Sequence, residues 1–275
     1  MIDTTADTKS GDSYDGQLAV VTGASSGIGL ELAKQFASHG FDLLIIAEDD
    51  GIDVVAGQLQ SLGARVDAVQ ADLATFDGVE SVCRMISESG RPVDALALNA
   101  GVGVGGPFLE SALDDELNLI ALNVASPVHM AKRLLPAMVA RDQGRVLITS
   151  SIAAEMPAPF EATYGASKAF LLSFSEALRN ELKDTHITVT ALQPGPTDTN
   201  FFRRAGMEDT KVGAGKKDDP ADVARDGFEA MMAGKDHIVA GSIKNKIQSA
   251  AAQIIPETTK AEMHRKMAEP GSAHS

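Results

Sequence analysis

The chain has 275 residues, 44% of them hydrophobic, enough to bury the core of one large α/β domain. Its formal net charge of −14 argues against a nucleic-acid partner, whose phosphates call for Lys and Arg, and no run approaches the roughly eighteen apolar residues of a membrane span. A single cysteine, Cys83, excludes an internal disulfide and a cysteine-based zinc site, and no metal is expected.

Residues 1–15 are polar and acidic and lack the basic-then-apolar order of a secretory signal, so a disordered tail on a cytoplasmic protein is expected. Leu18 to Thr22 is a short apolar run that ends in the turn Thr22-Gly-Ala-Ser-Ser-Gly-Ile-Gly29, after which Ile28, Leu32, Ala33 and Phe36 recur at helical spacing. Asp42 to Ala47 is a continuous apolar strand of the kind covered on both faces. Strands follow at Val66 to Ala71, Val93 to Leu98, Arg145 to Thr149, Ile187 to Leu192 and His237 to Ala240, separated by helical stretches. Cys83 falls on one such stripe with Val79, Val82 and Ile86 and reads as core. The alternation predicts a Rossmann-type, doubly wound parallel sheet of about seven strands with helices on both faces.

Two long helices are expected, over about 111 to 139 and 163 to 182. Asp219-Pro220 opens another with an N-cap and an N1 proline, running to Met232. Between strand six and that helix, Pro194 to Asp218 is a long charged segment, as functional lids are. Residues 242–275 form a helical extension of two helices divided at Pro256, the first with Ile243, Ile247, Ala250, Ala251 and Ile254 on one face. The extension is expected to cover the core or make an oligomer contact rather than lie over a site entrance.

Gly23, Gly27 and Gly29, after a strand and at a helix start, supply the context in which backbone amides hold a pyrophosphate. Residues 16–241 therefore read as a dinucleotide-binding domain with a built-in catalytic site. Tyr164 and Lys168 lie one helical turn apart on one face, with Ser151 thirteen residues upstream of the tyrosine. A neighbouring ammonium favours phenolate, so Lys168 is expected to pull the Tyr164 phenol below its usual range. Ser150 competes with Ser151; the thirteen-residue distance to Tyr164 favours Ser151, and strand alternation would point its neighbour the other way.

Four motifs together resemble the short-chain dehydrogenase/reductase family, in its single-domain branch, over residues 17 to about 241. They are the glycine turn, Asn99-Ala-Gly101, Ser151 with Tyr164-Gly-Ala-Ser-Lys168, and Pro194-Gly-Pro-Thr-Asp-Thr199. The resemblance implies an NAD(P)-dependent oxidoreductase interconverting a secondary alcohol and a ketone. Tyr164 would be the acid/base and Ser151 the hydrogen-bond donor to the substrate oxygen. Lys168 would bind the nicotinamide ribose, and Asn123 would position a relay water. Gly23, Ser25, Ser26, Gly27, Ile28 and Gly29 would hold the cofactor phosphates. Asp72 and Leu73 would flank the adenine, with Asn99, Ala100 and Gly101 beside its ribose. Pro194, Gly195 and either Thr197 or Thr199 would serve the nicotinamide end or the phosphates. A homodimer or homotetramer built on the two long helices is also implied.

Two positions depart from the family pattern. Strand two ends in Ala47-Glu48-Asp49-Asp50 where NADP users often carry arginine. Carboxylates repel a 2′-phosphate and accept from a 2′-hydroxyl, which favours NAD, with Glu48 as selector and NADP as the alternative. The family's usual aspartate position is closer to Ala47. Leu98 stands where a second asparagine is frequent, without expected consequence. Competing readings are a nucleotide-sensing scaffold without turnover and a serine hydrolase using Ser25 of Gly23-Ala-Ser-Ser-Gly27 with His129, His186 or His237. The substrate is expected to be mid-sized and apolar, with Phe201 and Phe202 lining its pocket and Arg203 or Arg204 able to meet an anion.

Overall fold

The computed structural model describes residues 16–242 and 255–274; the expected N-terminal tail and the first helix of the C-terminal extension lie outside these. Seven strands, all parallel, stand in the order β3-β2-β1-β4-β5-β6-β7. They are β1 Leu18–Thr22, β2 Asp42–Ala47, β3 Val66–Gln70, β4 Val93–Leu98, β5 Gly144–Thr149, β6 Ile187–Pro194 and β7 His237–Ala240. The predicted fold class and all seven predicted strands are present, with ends displaced by at most two residues.

Alternation along the strands sends successive side chains to opposite faces. Ala19, Val21, Leu43 and Ile45 pack under α1 (Gly27–Ser38), α2 (Gly51–Gln60) and α9 (Pro220–Met232). Leu18, Val20, Leu44, Ile46 and Val146 pack under α3 (Phe76–Glu88), α5 (Ser126–Arg141) and α6 (Ala162–Glu181). Phe36 of α1 joins the first layer, meeting Phe41 and Phe228 edge-on at 5.2 Å each. Truncating such a ring to alanine typically costs about 3–5 kcal/mol. Cys83 is buried in the second layer, as its stripe predicted, and burial pushes its thiol up to about 11.

The expected helix over 111 to 139 is interrupted. α4 covers Leu113–Ile120, a π turn covers Ala121–Ala125, and α5 follows. Pro127 has no N–H to give to the carbonyl four residues back, that of Asn123. The amide of Ser126 instead bonds Ala121, five residues back. Such a bulge turns its residues out of helical register.

Inside the segment read as a lid are two short helices, α7 (Phe201–Arg204) and α8 (Lys211–Ala214). Its two ends are tied together by Asp198 N–H to the Asp218 carbonyl and Asp218 N–H to the Pro196 carbonyl, both 2.8 Å. α9 begins as predicted, with the Asp219 carboxylate accepting from the Ala221 amide at 2.8 Å. The second C-terminal helix, α10 (Glu257–Ala268), buries Lys260, His264 and Ala268 along one face. It departs from expectation by lying over the cleft: Ala268 packs with Phe202, Ala205 and Met207 of the lid, and His264 and Met267 face the cleft.

Candidate active site

Strand order reverses between β1 and β4, and in open parallel sheets the crevice for ligands opens there, beyond the carboxyl ends of the strands. Thr22 closes β1 and its hydroxyl joins the two sides. It accepts from the amides of Asn99 at 2.9 Å and Ala100 at 3.0 Å and donates to the Ala97 carbonyl at 3.3 Å. Gly23 and Gly27 hold φ of +67° and +57°, which glycine adopts without strain. A Cβ at Gly23 would sit 2.9 Å from the Ala100 Cα, and one at Gly29 would fall on the Gly23 carbonyl oxygen. The turn must therefore be glycine for its backbone to come this close.

α1 starts at this turn with no acidic side chain in its first turn and no side-chain cap from Ser26. Its first amides are thus left for an external acceptor, and the helix dipole favours a negative one. This uncapped N-terminus and the cradle without Cβ atoms fit a pyrophosphate. Both open into a cleft of about 400 Å³. Among the described residues no group of His, Cys, Asp and Glu side chains is placed to hold a metal ion.

Every predicted site residue except Asn123 lines this cleft. At one end Glu48, Asp72 and Leu73 line the cleft together with Asp49, which is not among the expected site residues. The Asp49 carboxylate accepts from the Ser25 hydroxyl at 2.6 Å and from the Gly51 amide at 3.2 Å, while Glu48 is exposed. Among the described residues no lysine or arginine lines this end of the cleft. Asn99 is fixed through its amide group, which donates to the Thr22 carbonyl at 3.2 Å and accepts from Thr149 at 3.1 Å. Thr199 packs its methyl on Gly27, and Thr197 donates to the Gly195 carbonyl at 2.9 Å.

At the other end, Ser150 and Ser151 separate as alternation requires. Ser150 donates to the Lys168 carbonyl at 2.7 Å and so ties α6 to β5. Ser151 caps the short turn Ile152–Glu155, accepting from the Ala153 amide at 3.1 Å, and lines the cleft with Tyr164. Lys168 is buried, its Nζ donating to the Thr149 carbonyl at 2.9 Å and standing 5.6 Å from the centre of the Tyr164 ring. Burial draws this ammonium down to about 8.

The phenol does not follow the expected downward shift. Burial pushes it well above the tyrosine range, the Glu161 carboxylate adds to that rise, and Ser151 only partly opposes it. A cation one turn away does not decide the outcome, because loss of water around the phenolate outweighs it. Asn123 lies apart from the cleft, fully buried on the π turn. Its amide clamps both polar groups of Val102, at 2.9 Å each, and donates to Ser167 at 3.1 Å. Both of its side-chain N–H groups are thereby used.

Of the lid residues, Phe201 packs 5.1 Å from Tyr164, and Phe202 and Arg204 line the cleft, whereas Arg203 does not. The hydrolase constellation is not assembled. His129, His186 and His237 pair with Glu80, Asp142 and Asp236 away from Ser25. His264 is the histidine that lines the cleft, bonded to Glu161 at 3.1 Å. No local sequence signal marks this pair, since the partners are 103 residues apart.

Tyr14 is the other tyrosine of the chain and there is no tryptophan, so phenolate absorbance in a Tyr14→Phe protein reports Tyr164 alone. Its midpoint is expected above the ordinary value of about 10, and Glu161→Gln should move it downward. A midpoint at or below that value, or no response to Glu161→Gln, contradicts this account of the site.

Comparison with known proteins gives a consistent result. Residues 17–209 match the short chain dehydrogenase family model. Oxidoreductase UcpA of Salmonella typhimurium is 34% identical over 209 residues, 76% of this chain and 77% of its own length. The mouse dehydrogenase/reductase SDR family member 7B is 33% identical over 225 residues, 78% of this chain and 70% of its own. Among solved structures, a short-chain dehydrogenase from Sphingobium yanoikuyae in complex with NADPH superimposes with TM-score 0.76 at 28% identity, covering 86% of this chain and 93% of its own. A short-chain dehydrogenase/reductase from Burkholderia phymatum in complex with NAD gives 0.79 at 25% identity, covering 94% and 99%. With its glycine cradle at the strand reversal and its serine, tyrosine and lysine around one cleft, the chain belongs to the short-chain dehydrogenase family.

Proposed function

We propose that this protein is an NAD(P)-dependent oxidoreductase that interconverts a secondary alcohol and a ketone. The observation that carries the reading is the meeting of the Ser151 and Tyr164 side chains with the uncapped α1 N-terminus in one cleft. A bound nicotinamide dinucleotide would supply the hydride, and the chain must hold it, align a carbonyl and move one proton. The α1 amides and Gly23, Ser25, Ser26, Gly27, Ile28 and Gly29 would hold the pyrophosphate. Asp72, Leu73, Asn99, Ala100 and Gly101 would flank the adenosine. Pro194, Gly195 and Thr197 or Thr199 would serve the other end.

Ser151 orients the substrate oxygen, and Tyr164 exchanges a proton with it. A phenol held neutral is suited to donate, which makes Tyr164 the general acid for carbonyl reduction near neutral pH. In the reverse direction the phenolate must form, so alcohol oxidation should rise with pH. Lys168 would bind the nicotinamide ribose and favour that phenolate. The side chain of Asn123 has no spare donor, so a relay water would rest on its main-chain carbonyl, which Pro127 deprives of its helical partner.

The cofactor is NAD on this reading. Asp49, held by Ser25, and Glu48 place carboxylates at the end of β2, where a 2′-phosphate would be repelled and a 2′-hydroxyl accepted. The protein also acts as a homo-oligomer. Leu113, Leu117 and Ile120 share the outward face of α4 beside Leu109, which is 93% exposed, and Phe170 of α6 is exposed as well. Exposed apolar side chains grouped in this way call for a partner, and a second copy fits the resemblance.

Three outcomes test these statements. Tyr164→Phe should lower ketone reduction at least ~10²-fold while NADH still binds; unchanged turnover removes the proposed acid, and binding without turnover in the unmodified protein favours the sensing scaffold. Titrated by nicotinamide fluorescence at fixed salt, NADH should bind about tenfold or more tighter than NADPH, and Glu48→Arg with Asp49→Ser should reverse that order. Leu117→Glu should reduce the sedimenting mass to that of a single chain, whereas a chain already monomeric would end the oligomer reading.

A further inference from the structure

The C-terminal helix α10 starts well beyond residue 209, where the family match ends. Its buried face nonetheless reaches both sides of the catalytic cleft. Lys260 Nζ donates to the Glu155 carbonyl at 3.3 Å, and Arg265 stacks its guanidinium 4.9 Å from the Phe160 ring, so α10 grips the segment that leads into Tyr164. Past its end, Gly271 and Ala273 amides bond the carboxylate and carbonyl of Asp209, and Ser272 accepts from the Lys211 amide, all at 2.9 Å. The strap thereby joins the lid to the entry of α6.

His264 sits between these two attachments. Its Nε2 is 3.1 Å from the Glu161 carboxylate, and both side chains are more than nine-tenths buried. Glu161 lies three residues before Tyr164, and all three line the same cleft. A carboxylate oxygen only accepts, so Nε2 carries the proton, and in the neutral ring Nδ1 is then an acceptor. That atom makes no hydrogen bond to any described residue. In its neutral form the ring is thus held in one tautomer, and His264 lines the cleft together with Phe201, Arg204, Val212 and Met267.

We infer that His264, fixed by Glu161, is a specificity-determining residue that accepts a hydrogen bond from a hydroxyl group of the substrate, selecting hydroxyketones and their diols over ketones without a second oxygen. The inference rests on the oxidoreductase reading and deepens it. A site built to pair with a hydroxyl rejects the analogue that lacks it, because the buried acceptor is then left unmatched. The pair also accounts for a buried carboxylate beside a catalytic phenol, where a charge with no task would be costly.

The test compares reduction of straight-chain 2-alkanones with that of their ω-hydroxylated counterparts by the NADH-loaded enzyme. At the chain length that spans the cleft, kcat/KM should favour the hydroxyketone by about tenfold or more. His264→Leu should erase that preference chiefly by raising KM for the hydroxyketone. Glu161→Gln should also weaken it, because an amide can donate to Nε2 and free the opposite tautomer. Nitrogen-15 spectra, with His264 identified by its absence from His264→Leu, should show the Nε2–H tautomer and a shift of Nδ1 when the hydroxyketone is added. An undiminished preference for the hydroxyketone in His264→Leu protein that binds NADH normally, a Nδ1–H tautomer, or an Nδ1 signal unmoved by hydroxyketone overturns the inference. If the protein binds NADH and reduces no ketone, the oxidoreductase reading fails, and the Nδ1 response alone still decides whether His264 reads a hydroxyl.

Discussion

The hydroxyl of Thr22 is where the two halves of this molecule meet. At the reversal of strand order the crossovers leave β1 and β4 in opposite directions, so their ends diverge and a crevice opens between them. Thr22 prevents that crevice from widening by holding the amides of Asn99 and Ala100, and Asn99 in turn donates to the Thr22 carbonyl. With the two ends so joined, the Gly23 backbone comes within reach of Ala100, and no side chain fits between them. The position of the α1 N-terminus, and hence of everything bound there, follows from this contact.

The end of the cleft that holds Tyr164 and Lys168 is governed by desolvation. Lys168 gives its Nζ to the Thr149 carbonyl, Ser150 gives its hydroxyl to the Lys168 carbonyl, and the two bonds fasten α6 to the end of β5. The same burial that makes the fastening rigid disfavours both charged forms, lowering the ammonium and raising the phenol. A charge pair in water would shift the other way for tyrosine; here the loss of hydration is the larger effect. The π turn contributes to that rigidity, since Asn123 is turned inward to clamp Val102 and Ser167 at once.

Around Tyr164 the cleft is bounded by chain segments remote in sequence. Phe201 lies over Tyr164, the lid is tied at its ends near Pro196 and Asp218, and α10 spans from the lid to Glu161. The lid also reaches the nucleotide cradle, since Thr199 packs its methyl on Gly27.

Residues along the chain determined the strands, because an uninterrupted run such as Asp42–Ala47 is stable only with both faces covered, and they determined the glycine turn, because its backbone positions exclude a Cβ. Ser151, Tyr164 and Lys168 were legible for the same reason: a strand end and one helical turn fix their spacing locally. Tertiary structure alone decided that Asp49 rather than Glu48 would bond Ser25, that the phenol would shift upward, and that the helix through Asn123 would break. It alone brought His264 to Glu161 across 103 residues. Periodicity and motif spacing report what a segment does with its neighbours in sequence, whereas hydration, side-chain choice at a strand end and the docking of a distant helix depend on what the folded chain packs against them.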